Sequence, residues 1–131
     1  MLLEKIKQDF LLILKEELIP AMGCTEPIAL AYAAARGSEL LLGSPTYIVA
    51  RCSGNMIKNV RCVRIPNSQG LTGIEAACSL GALAGDAKRH MEVLDSVTHE
   101  GLMRALRFLD EGKSTVEYLD SVIPLHFIIE L

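Results

Sequence analysis

The sequence predicts one α+β (mixed α/β) domain over residues 1–131, with helices packed on a small mixed sheet that includes a C-terminal β-hairpin. Half of its 131 residues are hydrophobic and 22% are charged, which is the balance of a packed domain. Apolar residues recur at helical spacing in the first part of the chain, and short β-branched runs appear later. Helices therefore come first, and mixed helices and strands follow without an internal repeat.

Two helices are predicted at the start. Within residues 2–18, apolar side chains recur at steps of three and four, which indicates an amphipathic helix; they are Leu3, Ile6, Phe10, Ile13, Leu14 and Leu18. Pro20 and Gly23 interrupt this pattern. A second helix is predicted from Thr25 to about Leu42, because Thr25 can cap it and the next residues suit a first turn.

The middle of the chain alternates between strands and helices. Thr46–Cys52 is rich in β-branched and aromatic residues and predicts a strand, and Ser53–Asn59 predicts a short helical turn. A second short strand is predicted at Arg61–Ile65. Leu71–Gly85 predicts a helix whose glycines indicate tight packing, and Thr98–Glu111 predicts another helix, which Thr98 can cap.

The tail contains two strand-like runs. Thr115–Leu119 and Leu125–Ile129 flank a polar segment that ends in Pro124, which predicts the hairpin. The final run is hydrophobic, and an uncovered strand is an adhesive edge. We therefore expect a neighbouring segment or a partner chain there.

Composition and charge exclude several kinds of partner. Thirteen basic and 16 acidic residues are mixed along the chain without a basic block, so we expect no nucleic-acid partner. The apolar run 10–14 is too short to span a bilayer and is flanked by acidic residues, so neither a membrane partner nor a signal peptide is predicted. We expect a cytoplasmic protein with four reduced cysteines, none of them in a CxxC pair.

The first chemical signal is the segment Gly23–Pro27, which places Cys24 before a helix N-terminus. Free backbone N–H groups and the helix dipole stabilise a thiolate there, which predicts a lowered pKa and a nucleophile or metal ligand. The competing interpretation is a small buried residue at a tight helix entry. Cys52, Cys62 and Cys78 are interpreted as ordinary core residues.

The second chemical signal is the segment Ser53–Asn59. Gly54 permits close approach of a ligand to the backbone, Lys58 can reach an anion, and Ser53 and Asn55 can donate hydrogen bonds to a carboxylate. A capped turn with a solvated lysine is the competing interpretation. The loop Pro66–Gly73 is a weaker anion-binding candidate, because it lacks the ending of a phosphate-binding loop.

Three segments in this order, 23–29, 53–59 and 70–77, closely resemble the start of L-cysteine desulfidases and of the alpha chains of iron–sulfur L-serine dehydratases. The resemblance implies a lyase that eliminates sulfide or water, together with ammonia, from L-cysteine or L-serine to give pyruvate. It implies a [4Fe–4S] cluster with Cys24 as a metal ligand. It also implies substrate-carboxylate binding by the second segment, through Ser53, Gly54, Asn55, Lys58 and Asn59. Its catalytic base is not assigned to any residue of this chain.

The resemblance also implies that this chain is incomplete as an enzyme. The family's other cluster cysteines lie in a C-terminal half without a counterpart here, and Cys24 alone cannot hold a cluster. We therefore expect a split subunit, a truncated product or an excised domain that is inactive and binds no cluster alone, and that is completed by a second polypeptide or by self-association. A non-catalytic module that binds a small carboxylate or serves assembly is the main alternative. A cysteine-nucleophile enzyme using Cys24 ranks last, because no basic partner is evident.

Overall fold

The computed structural model describes residues 1–131 and confirms the α+β class. The helices are α1 (Leu2–Glu17), α2 (Thr25–Glu39), α3 (Gly54–Val60), α4 (Ile74–Ala84) and α5 (His99–Asp110), with a 3₁₀ helix at Ala87–Glu92. The strands are β1 (Ile48–Cys52), β2 (Ser114–Tyr118) and β3 (Phe127–Glu130). The 3₁₀ helix is the element that the sequence did not predict.

The three strands form one mixed sheet in the order β2-β1-β3, so the predicted C-terminal hairpin is wrong. Both tail strands exist, but β2 pairs with β1 in parallel and β3 pairs with β1 antiparallel. The central position falls to β1 because its alternate side chains, Ile48, Ala50 and Cys52, are fully buried. Arg51 points to the opposite face and forms ion pairs with Glu117 and Glu130 on the two flanking strands.

The predicted strand at Arg61–Ile65 is also wrong. This segment contains only a single bridge between Arg64 and Thr72. The Ile65 amide donates to the Leu71 carbonyl oxygen and the Gly73 amide donates to that of Val63, but this pairing extends no further because Arg61 and Cys62 lie on the turn after α3 and α4 begins after Gly73.

Helices α2 and α4 form the centre of the core and pack closely against each other. Gly81 of α4 lies against the backbone of Ala31 in α2, so a Cβ at this position would overlap the Ala31 carbonyl oxygen. This contact confirms tight packing as the reason for Gly81. Gly73 has a different role, because it precedes α4 and has a φ of 95°, a conformation that favours glycine.

Both ends of α2 differ from the sequence predictions, whereas the start of α5 agrees with them. The N-cap of α2 is Cys24, and Thr25 is the first helical residue, so the predicted Thr25 cap is wrong. The same helix ends at Glu39, before the predicted Leu42. The predicted cap of α5 is confirmed, because the Thr98 hydroxyl accepts a hydrogen bond from the Gly101 amide at 3.1 Å.

Helix α1 differs from the others because none of its residues is buried. Its predicted amphipathic pattern is present, but apolar side chains such as Phe10 remain 63% exposed. Segment 18–23 connects it to Cys24. No helix in the fold combines the length and the apolar character needed to cross a lipid bilayer.

Candidate functional site

Cys24 lies at the surface, at the N-terminal end of α2. Its side chain is exposed, so the competing interpretation of a buried residue at a helix entry is wrong. The thiol donates a hydrogen bond to Oε2 of Glu26, with 3.0 Å between Sγ and the oxygen. Cys24 is therefore accessible to a ligand or a partner, with a carboxylate as its immediate neighbour.

The predicted lowering of the Cys24 pKa is wrong, because Glu26 raises the pKa of this thiol. The hydrogen bond to the Glu26 side chain favours the protonated thiol, and partial burial and the negative charge of the carboxylate act in the same direction. The backbone amide of Glu26 does lower the pKa, as the helix-end argument predicts, but the carboxylate outweighs it. The same hydrogen bond lowers the pKa of Glu26.

The substitution Glu26→Gln is expected to make Cys24 more reactive. It removes the negative charge that disfavours the thiolate, so the Cys24 pKa falls and the thiolate fraction near pH 8 increases. We expect iodoacetamide to alkylate Cys24 faster in the variant, by about 3- to 10-fold. Mass spectrometry resolves the sites, and the exposed Cys62 serves as an internal reference. An unchanged Cys24 rate in the variant would show that Glu26 does not control this thiol.

Glu26 also joins the two predicted site segments. Its Oε1 accepts a hydrogen bond from Nδ2 of Asn59 at 3.4 Å, while its Oε2 accepts from Cys24. Asn55 lies one turn before Asn59 on α3 and therefore on the same side of that helix. Gly54 and Lys58 are exposed on the same short helix. The fold thus brings Cys24 close to Asn59, at the end of the second segment.

Sequence reasoning did not identify Glu26 as a site residue. An acidic residue in a first turn is favoured by the helix dipole, so Glu26 is consistent with an ordinary helix start. The signal that was available is the Cys-x-Glu spacing across a helix start. The contact with Asn59 has no local signal, because the two residues are 33 positions apart.

Ser53 is placed differently from the other predicted substrate-binding residues. It is 1% exposed, and its hydroxyl donates to the Pro124 carbonyl oxygen at 2.5 Å. Its backbone amide donates to the carbonyl oxygen of His126 at 2.8 Å. In this arrangement Ser53 anchors the segment before β3, and its contact with a substrate carboxylate stays a prediction.

Replacing Ser53 with alanine is expected to lower the free energy of unfolding by about 1–2 kcal/mol, because the Pro124 carbonyl loses its hydrogen-bond donor. Urea unfolding followed by circular dichroism measures the change. Ser44→Ala is the matched control, since Ser44 is exposed, and it should leave stability within about 0.5 kcal/mol of the parent. Equal stabilities of the two variants would contradict an anchoring role for Ser53.

A small cleft lies beside Glu26, with a volume of about 150 Å³. Thr25 and Glu26 form its polar edge, and its other walls are apolar: Ala29, Met56, Met91, Leu125 and Phe127. Helix α2, helix α3, the 3₁₀ helix and the segment entering β3 all contribute to it. The cleft is large enough for a small molecule or for part of a larger one, with one carboxylate at its edge.

The largest surface cavity, about 380 Å³, lies elsewhere, at the start of α5. Asn67, Gln69, Asp95 and His99 are among its lining residues. It contains neither Cys24 nor any residue of the second segment. We favour the smaller cleft as the candidate site, because a thiol, a carboxylate and an amide are in direct contact beside it.

The other cysteines lie outside this site. Cys52 and Cys78 are buried core residues, as predicted, and burial raises the pKa of Cys52 to about 11 and that of Cys78 further. Cys62 is exposed, so its predicted core position is wrong: it lies on the turn after α3. No group of three or more His, Cys, Asp or Glu side chains is placed to hold a metal ion. The residues of this chain alone therefore do not fit a [4Fe–4S] cluster, although Cys24 fits as one exposed ligand of a shared one.

Comparison with known proteins finds similarity to longer bacterial proteins that carry the name UPF0597 protein. The chain is 44% identical to the one from Lachnoclostridium phytofermentans over 119 residues, which cover 91% of this chain and 28% of that protein. It is 48% identical to the Finegoldia magna protein over 114 residues, covering 82% and 27% respectively. For the Treponema denticola protein the identity is 41% over 130 residues, covering 98% and 30%.

The chain thus spans less than a third of the length of these relatives. Their shared name states no activity. The sequence matches no protein-family model, and no solved structure matches it.

Proposed function

We propose that this chain is a desulfidase/serine dehydratase-like N-terminal domain that contributes one cysteine ligand to a [4Fe–4S] cluster. The other ligands would lie on polypeptide corresponding to the remaining length of the relatives, and the chain alone would be inactive. One observation carries the proposal: Glu26 contacts both Cys24 and Asn59, so two of the three segments behind the family resemblance, 23–29 and 53–59, meet beside one exposed cleft. We further propose a cytoplasmic location, where four free thiols stay reduced.

The proposed reaction converts L-cysteine and water to pyruvate, sulfide and ammonia, with L-serine losing water in place of sulfide. When bound, the cluster would supply a Lewis-acidic iron that stabilises the leaving sulfur or oxygen. The residues of this chain would then hold the substrate and one corner of the metal site. The exposed Lys58 and the half-buried Asn55 and Asn59 would offer hydrogen-bond donors to the substrate carboxylate from α3.

The test uses a full-length chimera in which this chain replaces the matched segment of the Treponema denticola protein. The isolated chain and the chimera are each reconstituted anaerobically with iron and sulfide, then assayed for bound iron and for sulfide release from L-cysteine. We expect a brown, active chimera and an inactive chain without a cluster. Sulfide release by the isolated chain would overturn the proposed division of ligands.

The second candidate is a non-catalytic module that binds a small carboxylate or serves assembly. The raised pKa of Cys24 favours it, because a protonated thiol is a poor ligand and a poor nucleophile. If the module binds a small carboxylate, the chimera takes up no iron and releases no sulfide, whereas L-alanine, which keeps the carboxylate but has no leaving group, is still bound. If the module serves only assembly, the chimera binds neither iron nor L-alanine. Isothermal titration calorimetry measures the binding of L-alanine to the chimera, and iron analysis measures its cluster content. The two measurements together distinguish the two functions.

A further inference from the structure

Helix α1 carries an exposed apolar face. Leu3, Ile6, Phe10, Ile13 and Leu14 lie on one side of this helix, and their side chains are between 42% and 83% exposed. A helix of 16 residues is marginal in water without tertiary packing. Its apolar face therefore calls for a surface that covers it.

We propose that this face docks onto the polypeptide that corresponds to the remaining length of the UPF0597 relatives. This proposal rests on the proposed function in one respect, the existence of a second polypeptide. It adds the surface to which that polypeptide binds. In the Treponema denticola protein the match includes 98% of this chain but only 30% of the relative, so most of that protein is available to pack on the matched part.

The position of α1 relative to Cys24 supports this occupant. Segment 18–23 links the end of α1 to Cys24, and a fully extended segment of this length spans at most about 25 Å. A partner held by α1 therefore stays close to the thiol. A second exposed apolar group, Val122, Ile123 and Leu125, lies on the segment before β3, and Leu125 also lines the cleft beside Glu26.

The size of the face argues against a simple pairing of two copies. A helix of this length is a cylinder roughly 24 Å long and 10 Å wide, and an apolar stripe over a third of it covers about 250 Å². Two copies joined by this stripe would bury about 500 Å², well below the roughly 1,200 Å² of a stable interface. A larger partner can cover more apolar surface than this stripe alone.

The charge of α1 argues against a membrane as the occupant. Its side chains include three lysines and four acidic residues, which are Lys5, Lys7, Lys15, Glu4, Asp9, Glu16 and Glu17. Helices that lie on anionic lipid carry a strongly basic polar face. The mixed charge of α1 suits a protein surface instead.

Hydrogen–deuterium exchange of the α1 amides tests the proposal in the isolated chain and in the chimera described above. In the isolated chain these amides should exchange at close to the rate of an unfolded peptide, and this rate should not depend on protein concentration. In the chimera we expect exchange at least about 100-fold slower, because docking must be broken before the helix opens.

A matched pair of variants in the chimera locates the docking face. Phe10 and Leu12 are similarly exposed, at 63% and 56%, but they lie on nearly opposite sides of α1. Phe10→Glu should return the α1 amides to rapid exchange, and Leu12→Glu should leave them protected. If the chimera does not fold, the intact Treponema denticola protein is measured over its segment matched to residues 2–17.

Several outcomes would overturn the inference. Rapid α1 exchange in the folded full-length protein would show that its remaining polypeptide does not cover the helix. Protection that rises with concentration in the isolated chain would assign the face to a second copy, and protection by phosphatidylglycerol vesicles would assign it to a membrane. Hydrogen exchange of α1 does not depend on iron binding, so the two proposals can fail separately. A chimera with a protected α1 that binds no iron would contradict the proposed function alone. An active chimera with an unprotected α1 would contradict this inference alone.

Discussion

The variant Gly81→Ala is expected to lose at least about 3 kcal/mol of its free energy of unfolding, a large part of the stability of a domain of this size. The added Cβ would overlap the carbonyl oxygen of Ala31 and lie 2.7 Å from the Cα of that residue. Both neighbours are backbone atoms, so no side-chain rotation relieves the contact. Helices α2 and α4 must separate, and their interface is the centre of the core.

Urea unfolding measures this change, with Gly43→Ala as the control. An alanine Cβ at Gly43 meets nothing within 4 Å, so that variant should be neutral or slightly more stable, by up to about 0.5 kcal/mol. If Gly81→Ala were as stable as Gly43→Ala, the close approach of α2 and α4 would be wrong. Because α2 carries Cys24 at its start, the same variant should also disturb the candidate site.

If Cys24 is a cluster ligand as proposed, the variant Cys24→Ala is expected to abolish sulfide release by the full-length chimera, lowering the rate by about 1,000-fold or more, because the cluster would lose a ligand next to the substrate. Stability should change little, since Cys24 is exposed and the thiol's hydrogen bond is to the side chain of Glu26, two residues away. Anaerobic assays with L-cysteine measure the rate, and iron analysis measures cluster content.

Cys62→Ala is the control for this substitution. Cys62 is the other exposed thiol, and it lies on the turn after α3, outside the candidate site. We expect full activity and full iron content in that variant. Comparable activity in the Cys24 and Cys62 variants would remove Cys24 from the metal site.

Local patterns were sufficient for most helices and for the positions of all three strands. The three- and four-residue spacing of apolar side chains predicted α1, and Thr98 predicted the start of α5. Strand pairing was not predictable in this way, because it depends on which strand is hydrogen-bonded along both of its edges and has one face buried. Nearness along the chain favoured a hairpin between β2 and β3, whereas the buried side chains of β1 placed that strand between them.

The candidate site shows the same division between local and distant information. The position of Cys24 before a helix was readable from the Gly-Cys-Thr-Glu-Pro order, and its exposure agrees with a role at the surface. The direction of its pKa was not readable, because the effect of the helix amide competes with that of a carboxylate two residues away. The hydrogen bond between Glu26 and Asn59 and that between Ser53 and the Pro124 carbonyl both depend on tertiary packing.

Alkylation of the chimera before and after anaerobic reconstitution with iron and sulfide tests most directly whether the Cys24 sulfur binds iron. Iron bound to this sulfur should block iodoacetamide at Cys24, slowing its labelling at least about tenfold while Cys62 continues to react at its earlier rate. Equal labelling of Cys24 in the iron-free and iron-loaded protein would contradict the account, since a thiol that remains free in the loaded protein is not one of its ligands.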